Sequence, residues 1–137
     1  MKKTSCLFGL GVAVTVVLVA GSALAQEKPD LSKVVGTWKV EVYAGNAAYY
    51  IDLSVTEASG QLAGTVSESM GSFTDVAISD IHYDSVAFRF DFVAPTPPDG
   101  MSRTVKADFK VGEDKMEGTI TVPDLDVIAD ASAIRQS

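Results

Sequence analysis

The sequence predicts an all-β fold, a single small antiparallel up-and-down barrel of about eight strands. Three observations predict it. Apolar residues recur with a period of two from Gly36 onward, which is the strand period, and no segment after residue 25 shows a helical one. The apolar runs are short, similar in length and separated by glycine, asparagine, aspartate or serine. The connections are too short for the crossovers that a parallel sheet requires. Such a set of strands closes into a barrel or folds over as a sandwich.

The chain opens on an export signal. Lys2 and Lys3 form a positive start, Leu7 to Ala20 is an uncharged and mostly apolar run, and Ala23-Leu24-Ala25 places small residues where a signal peptidase reads. The run is 14 residues and breaks at Gly21-Ser22, whereas a spanning helix needs about 20. Residues 1–25 are therefore expected to be cleaved, leaving a periplasmic or secreted chain that begins at Gln26 and keeps no stable membrane anchor. Residues 26–33 read as a flexible polar leader containing Pro29, and residues 34–137 as the barrel domain.

The strands follow in order. Trp38, Val40 and Val42 alternate with Lys39, Glu41 and Tyr43, up to a turn at Gly45-Asn46. Tyr49, Ile51, Leu53 and Val55 form the second strand, turned at Ser59-Gly60. Leu62, Gly64 and Val66 form the third. In the fourth, Val76 and Ile78 share a face but Ile81 has slipped by one, which predicts a bulge near Ser79-Asp80. Asp84-Ser85 turns the chain into Phe88, Phe90 and Phe92. Pro95 to Gly100 reads as a proline-rich loop, because proline cannot donate to a ladder. Val105, Ala107, Phe109 and Val111 form a sixth strand, and Met116, Gly118, Ile120 and Val122 a seventh. Leu125 to Arg135 completes the set after Pro123-Asp124.

The second and third strands echo the sixth and seventh. Ile51, Leu53, Val55, Leu62, Gly64, Thr65 and Val66 recur 54 residues later as Val105, Ala107, Phe109, Met116, Gly118, Thr119 and Ile120. Inward glycine in a strand marks a bend or a close backbone approach. Two such sites at one spacing predict equivalent hairpins in a strongly coiled barrel.

Loss of the signal takes Lys2, Lys3 and Cys6, moving the net charge from −7 to −9 and leaving no cysteine. The domain must then stand on its apolar core, without disulfides. An acidic chain without a Lys/Arg patch is not expected to bind nucleic acid or an anionic membrane surface.

Several short motifs resemble the lipocalin-like, calycin-type small barrels of exported bacterial proteins. They are Gly36-Thr37-Trp38 opening the first strand, Leu62-Ala63-Gly64-Thr65, the aromatic run Phe88 to Phe92, Lys115-Met116-Glu117-Gly118-Thr119, and the late Arg135. The resemblance implies that Arg135 of the last strand lies across Trp38 of the first and ties the barrel shut. The chain is shorter than true lipocalins and lacks their flanking helix.

Chemistry-bearing motifs are sparse. Asp80, His82 and Asp84 are spaced to share a strand face and could ligate a metal, but Asp84 falls in a turn, where aspartate belongs for backbone reasons. No nucleophile elbow and no calcium loop is present. No catalytic residue, metal site or cofactor is therefore assigned. Tyr43 and Tyr50 fall on the outer face, where cross-strand pairing accounts for them. The leading functional expectation is a non-enzymatic barrel holding a small apolar ligand against Trp38, Val40, Leu53, Phe88, Phe90, Phe92 and Phe109, an almost wholly hydrocarbon wall. The alternative is a solid-cored domain that meets another exported protein through its outer face or loops.

Overall fold

The computed structural model describes residues 28–137; the export signal and the Gln26 cleavage point lie outside them. The described chain is a nine-stranded antiparallel up-and-down barrel, nearly closed. Its strands are β1 (Gly36–Ala44), β2 (Ala47–Ala58), β3 (Gln61–Glu68), β4 (Val76–Ala77), β5 (Ser79–Tyr83), β6 (Ala87–Thr96), β7 (Met101–Val111), β8 (Lys115–Val122) and β9 (Val127–Arg135). Hydrogen-bonded neighbours run β4-β3-β2-β1-β9-β8-β7-β6-β5, so the first long strand pairs with the last.

The count is nine because the fourth predicted strand is bent into two. β4 pairs with β3, with Val66 opposite Val76, while β5 pairs with β6, with Tyr83 opposite Phe88. Ile78 joins the two pieces, and its N–H donates to the Gly64 carbonyl at 3.0 Å. The ends of the sheet are thus one bent segment, which crosses from the β3 wall to the β6 wall. The predicted bulge lies on it. Ser79 faces Asp91 and His82 faces Arg89, so β5 carries one residue more than β6 over that stretch, and Asp80 takes a positive φ of 48°.

Two boundaries differ from the sequence reading. Pro95 and Thr96 belong to β6, opposite Ser102 and Met101, and the loop is only Pro97–Gly100. Proline is tolerated at Pro95 because the β5 pairing ends at Asp91, leaving that flank without a ladder partner to need its missing N–H. The last strand starts at Val127, not Leu125. Pro123–Leu125 forms a 3-10 turn, and Asp126 closes it in the left-handed conformation.

The two echoing hairpins have the same register. Leu53 faces Val66 and Val55 faces Gly64 in one, and Ala107 faces Ile120 and Phe109 faces Gly118 in the other.

One end of the barrel is solid. Trp38, Leu53, Phe88 and Met116 are fully buried there, with Val34 packed among the buried core. The last residues of the leader, Leu31–Lys33, form a 3-10 turn whose start is capped by the Asp30 carboxylate. That turn places carbonyls over the core. The Trp38 indole donates to the Val34 carbonyl at 2.9 Å. Arg135 stacks over the same indole, with Cζ 4.4 Å from the ring centroid. Its Nη1 donates to the Val35 carbonyl, its Nη2 to the Lys33 carbonyl and its Nε to the Asp114 carboxylate. One side chain thereby joins the last strand, the leader and the β7–β8 turn. Outward-facing positions carry ion pairs directly across the ladders, Lys39 with Asp52 and Lys106 with Asp91. Such exposed pairs contribute about 0–1 kcal/mol each.

Candidate ligand-binding cavity

The other end of the barrel is hollow. A cavity of about 640 Å³ opens there, in the size range of small-molecule sites. Its wall takes residues from seven strands. β1 supplies Val42 and Ala44, and β2 supplies Tyr49 and Ile51. β6 supplies Phe92, Pro95 and Thr96. Val105 of β7, Ile120 and Val122 of β8, and Val127 and Ala129 of β9 complete the ring, with Glu68 at the end of β3. The mouth is framed by Met70, Ser72 and Phe73 of the β3–β4 loop, by Pro97, Pro98 and Gly100 of the β6–β7 hairpin, and by Leu125.

The hollow follows from where the bulky residues fall along each strand. β6 sends Phe88, Phe90, Phe92, Ala94 and Thr96 inward, so its ring volume is concentrated toward Phe88 and gives way to small side chains at the mouth. The phenylalanines form a continuous row of ring contacts, from Phe88 to Phe90 at 5.2 Å and on to Phe92 at 6.3 Å, with Phe73 tilted against Phe92 at 5.7 Å. β9 turns only small residues inward, Ala129, Ala131 and Ala133. Ala133 is covered by its neighbours Val40 and Met116, and Ala129 stands at the cavity.

Of the seven residues that the sequence proposed as a ligand wall, only Phe92 lines the cavity. Trp38, Leu53, Phe88 and Phe109 are packed into the solid end, and Val40 and Phe90 are buried in the shared core. The lining also includes Tyr49, Ile51 and Ile120, which share the apolar parity of their strands but lie outside that set. Ala129 and the loop residue Phe73 carried no signal beyond the period of two.

Four polar side chains reach the lining: Tyr49, Glu68, Ser72 and Thr96. Thr96 is the one buried polar residue among the described residues. Its hydroxyl accepts from Arg103 Nη1 at 2.9 Å and lies 3.4 Å from the Met101 carbonyl. Arg103 is also held by both oxygens of Asp99, at 2.7 and 2.9 Å, which pins the β6–β7 hairpin. The Arg103 guanidinium, followed by the Met101 N–H, holds the Asp99 carboxyl well below the ordinary carboxylate range.

Glu68 organises the β3–β4 loop. Its Oε2 accepts from the Met70 N–H at 3.0 Å, and its Oε1 accepts from the Ser72 N–H and hydroxyl at 3.2 and 2.8 Å. Partial burial pushes its carboxyl up. The hydrogen bonds from Met70 and Ser72 outweigh that and keep it below the ordinary glutamate value.

The remaining candidates fall outside the cavity. Asp84 accepts from the N–H groups of Val86 and Ala87 at 2.9 and 2.8 Å, as a turn aspartate does. Asp80 sits at the bulge and His82 is exposed. No three His, Cys, Asp or Glu side chains converge on a metal position among the described residues. Tyr50 lies directly across from Glu41 on the outer wall and donates to its carboxylate at 3.1 Å. A second, more open hollow of about 400 Å³ lies beside the bulge, between Leu62 of β3 and Ile81 and Tyr83 of β5.

Comparisons with protein-family models, with curated proteins and with solved structures find no match.

Proposed function

We propose that this chain is a non-enzymatic exported binding domain that holds one small apolar molecule in the open end of its barrel. The observation that carries the reading is the cavity of about 640 Å³ walled by Val42, Ile51, Phe92, Val105, Ile120 and Val122. A wall of that kind rewards apolar surface and penalises a buried polar group by several kcal/mol. A barrel with one solid and one hollow end also fits the lipocalin-like resemblance, and an export signal would place it in the periplasm or outside the cell. Titration with an uncharged apolar fluorophore, followed by displacement with medium-chain alcohols, tests the proposal. Saturable binding that is lost in Ala129→Trp, a variant that fills the cavity from β9, supports it. Absence of saturable binding by the folded protein would leave the outer face and loops as the functional surface.

A further inference from the structure

We infer that the cavity takes an apolar ligand whose polar end is a hydrogen-bond donor, an amine or an alcohol rather than a carboxylate, with Glu68 at the mouth as its acceptor. The inference rests on the ligand-binding reading and adds a charge selection to it.

Glu68 is the one charged side chain in the lining among the described residues. It is fixed in place, because the loop it organises donates three hydrogen bonds to it. These bonds favour the ionised form over the protonated one. They also leave it unsaturated. A carboxylate offers about four acceptor positions, and Oε2 receives only the Met70 N–H. The other lining hydroxyls with assigned bonds are occupied, Ser72 by Glu68 and Thr96 by Arg103.

Among the described residues no cation forms an ion pair with Glu68. The segments that frame it carry one cation, Arg103, which both Asp99 oxygens hold and which also feels the field of Asp124. Asp124 and Asp126 flank the lining residue Leu125 and add only negative charge. A carboxylate headgroup at this mouth would meet the like charge of Glu68, and of the lining side chains only the Tyr49 hydroxyl would be left to donate to it. An ammonium or hydroxyl would meet an acceptor already in place.

Decanol, decanoate and decylammonium share one tail and differ in the head. Calorimetric titration of the folded protein at neutral pH and low salt should rank decylammonium and decanol above decanoate. The expected gap between decanol and decanoate is about tenfold or more, a factor equivalent to about 1.4 kcal/mol. Glu68→Gln should bring decanoate to within about threefold of decanol, which corresponds to roughly 0.65 kcal/mol. Its folding is checked by circular dichroism. A second measurement needs no variant. Raising the salt toward 1 M, where the screening length falls to about 3 Å, should narrow the decanoate gap in the native protein. Decanoate binding as tightly as decanol, or a gap unmoved by both salt and Glu68→Gln, overturns the charge selection while leaving the cavity reading intact. Failure of all three probes to bind overturns the cavity reading and the selection with it.

Discussion

Gly64 and Gly118 occupy the same position in two hairpins of identical register, Gly64 opposite Val55 and Gly118 opposite Phe109. In each, a Cβ would run into the carbonyl oxygen of the residue before the partner, Ser54 or Asp108. The neighbouring strand backbone therefore passes where a side chain would stand. This close approach is the bend that lets a short sheet curl into a barrel.

The two sites differ in what could yield. Around Gly118 the nearest atoms are all backbone, from Asp108 and Phe109, whereas Gly64 also meets the flexible Cδ1 of Ile78 at 3.1 Å. Gly118→Ala should therefore cost more stability than Gly64→Ala, within the range of about 1–3 kcal/mol typical of overpacking. Urea midpoints of the two variants check the order. Equal midpoints close to that of the native protein would mean that neither backbone approach is tight.

A second prediction concerns the solid end. Arg135→Ala removes the cation–π contact, worth about 0.5–2 kcal/mol, and leaves the Val35 and Lys33 carbonyls without that donor. Stability should fall by roughly 2–3 kcal/mol, since a lost hydrogen bond adds about 1 kcal/mol, and Trp38 emission should shift. Arg135→Lys should recover less than half, because an ammonium cannot fork to two carbonyls while stacking. Gly36→Ala should partly mimic the loss. Gly36 has φ 136°, and its added Cβ would lie 2.7 Å from Arg135 Nη1. Unfolding curves of the three variants that coincide with the native one would remove Arg135 as the clasp of the seam.

Much of this fold was legible because alternation reports which way a side chain faces. The inward sets of β1, β2 and β7, the bulge at Asp80 and the echo between the two hairpins all follow from parity along the chain. Depth along the barrel axis was not legible. Whether Phe88 or Phe92 reaches the hollow depends on strand tilt and stagger, which parity does not encode. Hence the large residues proposed as a ligand wall became the packing of the solid end, with Phe92 alone at the cavity. Pro95 misled for a related reason. A proline rules out a ladder bond on one flank only, and the end of the β5 pairing at Asp91 frees that flank.

Strong acid should loosen the hairpin at the mouth. The Asp99 carboxyl is lowered by Arg103, so its contribution is present above the unfolded carboxylate value of about 3.9 and is lost as pH falls through the folded value. Asp99→Asn should flatten the decline in stability below about pH 4 and raise amide exchange at Gly100 and Met101, whose N–H groups donate to Thr96 and Asp99. An acid limb of unchanged slope in the variant would show that Asp99 is not a significant part of the acid response.

The division into a hollow and a solid end can be tested with one substitution made twice on one strand. Ala129 and Ala133 both face inward on β9. Ala133 is fully buried between Val40 and Met116, so Ala133→Leu has no room and should cost about 1–3 kcal/mol through overpacking. Ala129 borders the cavity, so Ala129→Leu places its added carbons in unfilled space. Each buried methylene contributes up to about 0.8 kcal/mol, and the open mouth keeps part of that surface wet, so a net gain of about 1 kcal/mol is expected. The same change should weaken decanol binding, a trade of function for stability that follows from filling the site. Urea denaturation reads the signs directly. Opposite signs at Ala129 and Ala133 support a barrel open at one end. Destabilisation of similar size at both would mean that side chains fill the barrel throughout, and the cavity would then offer no site for any ligand.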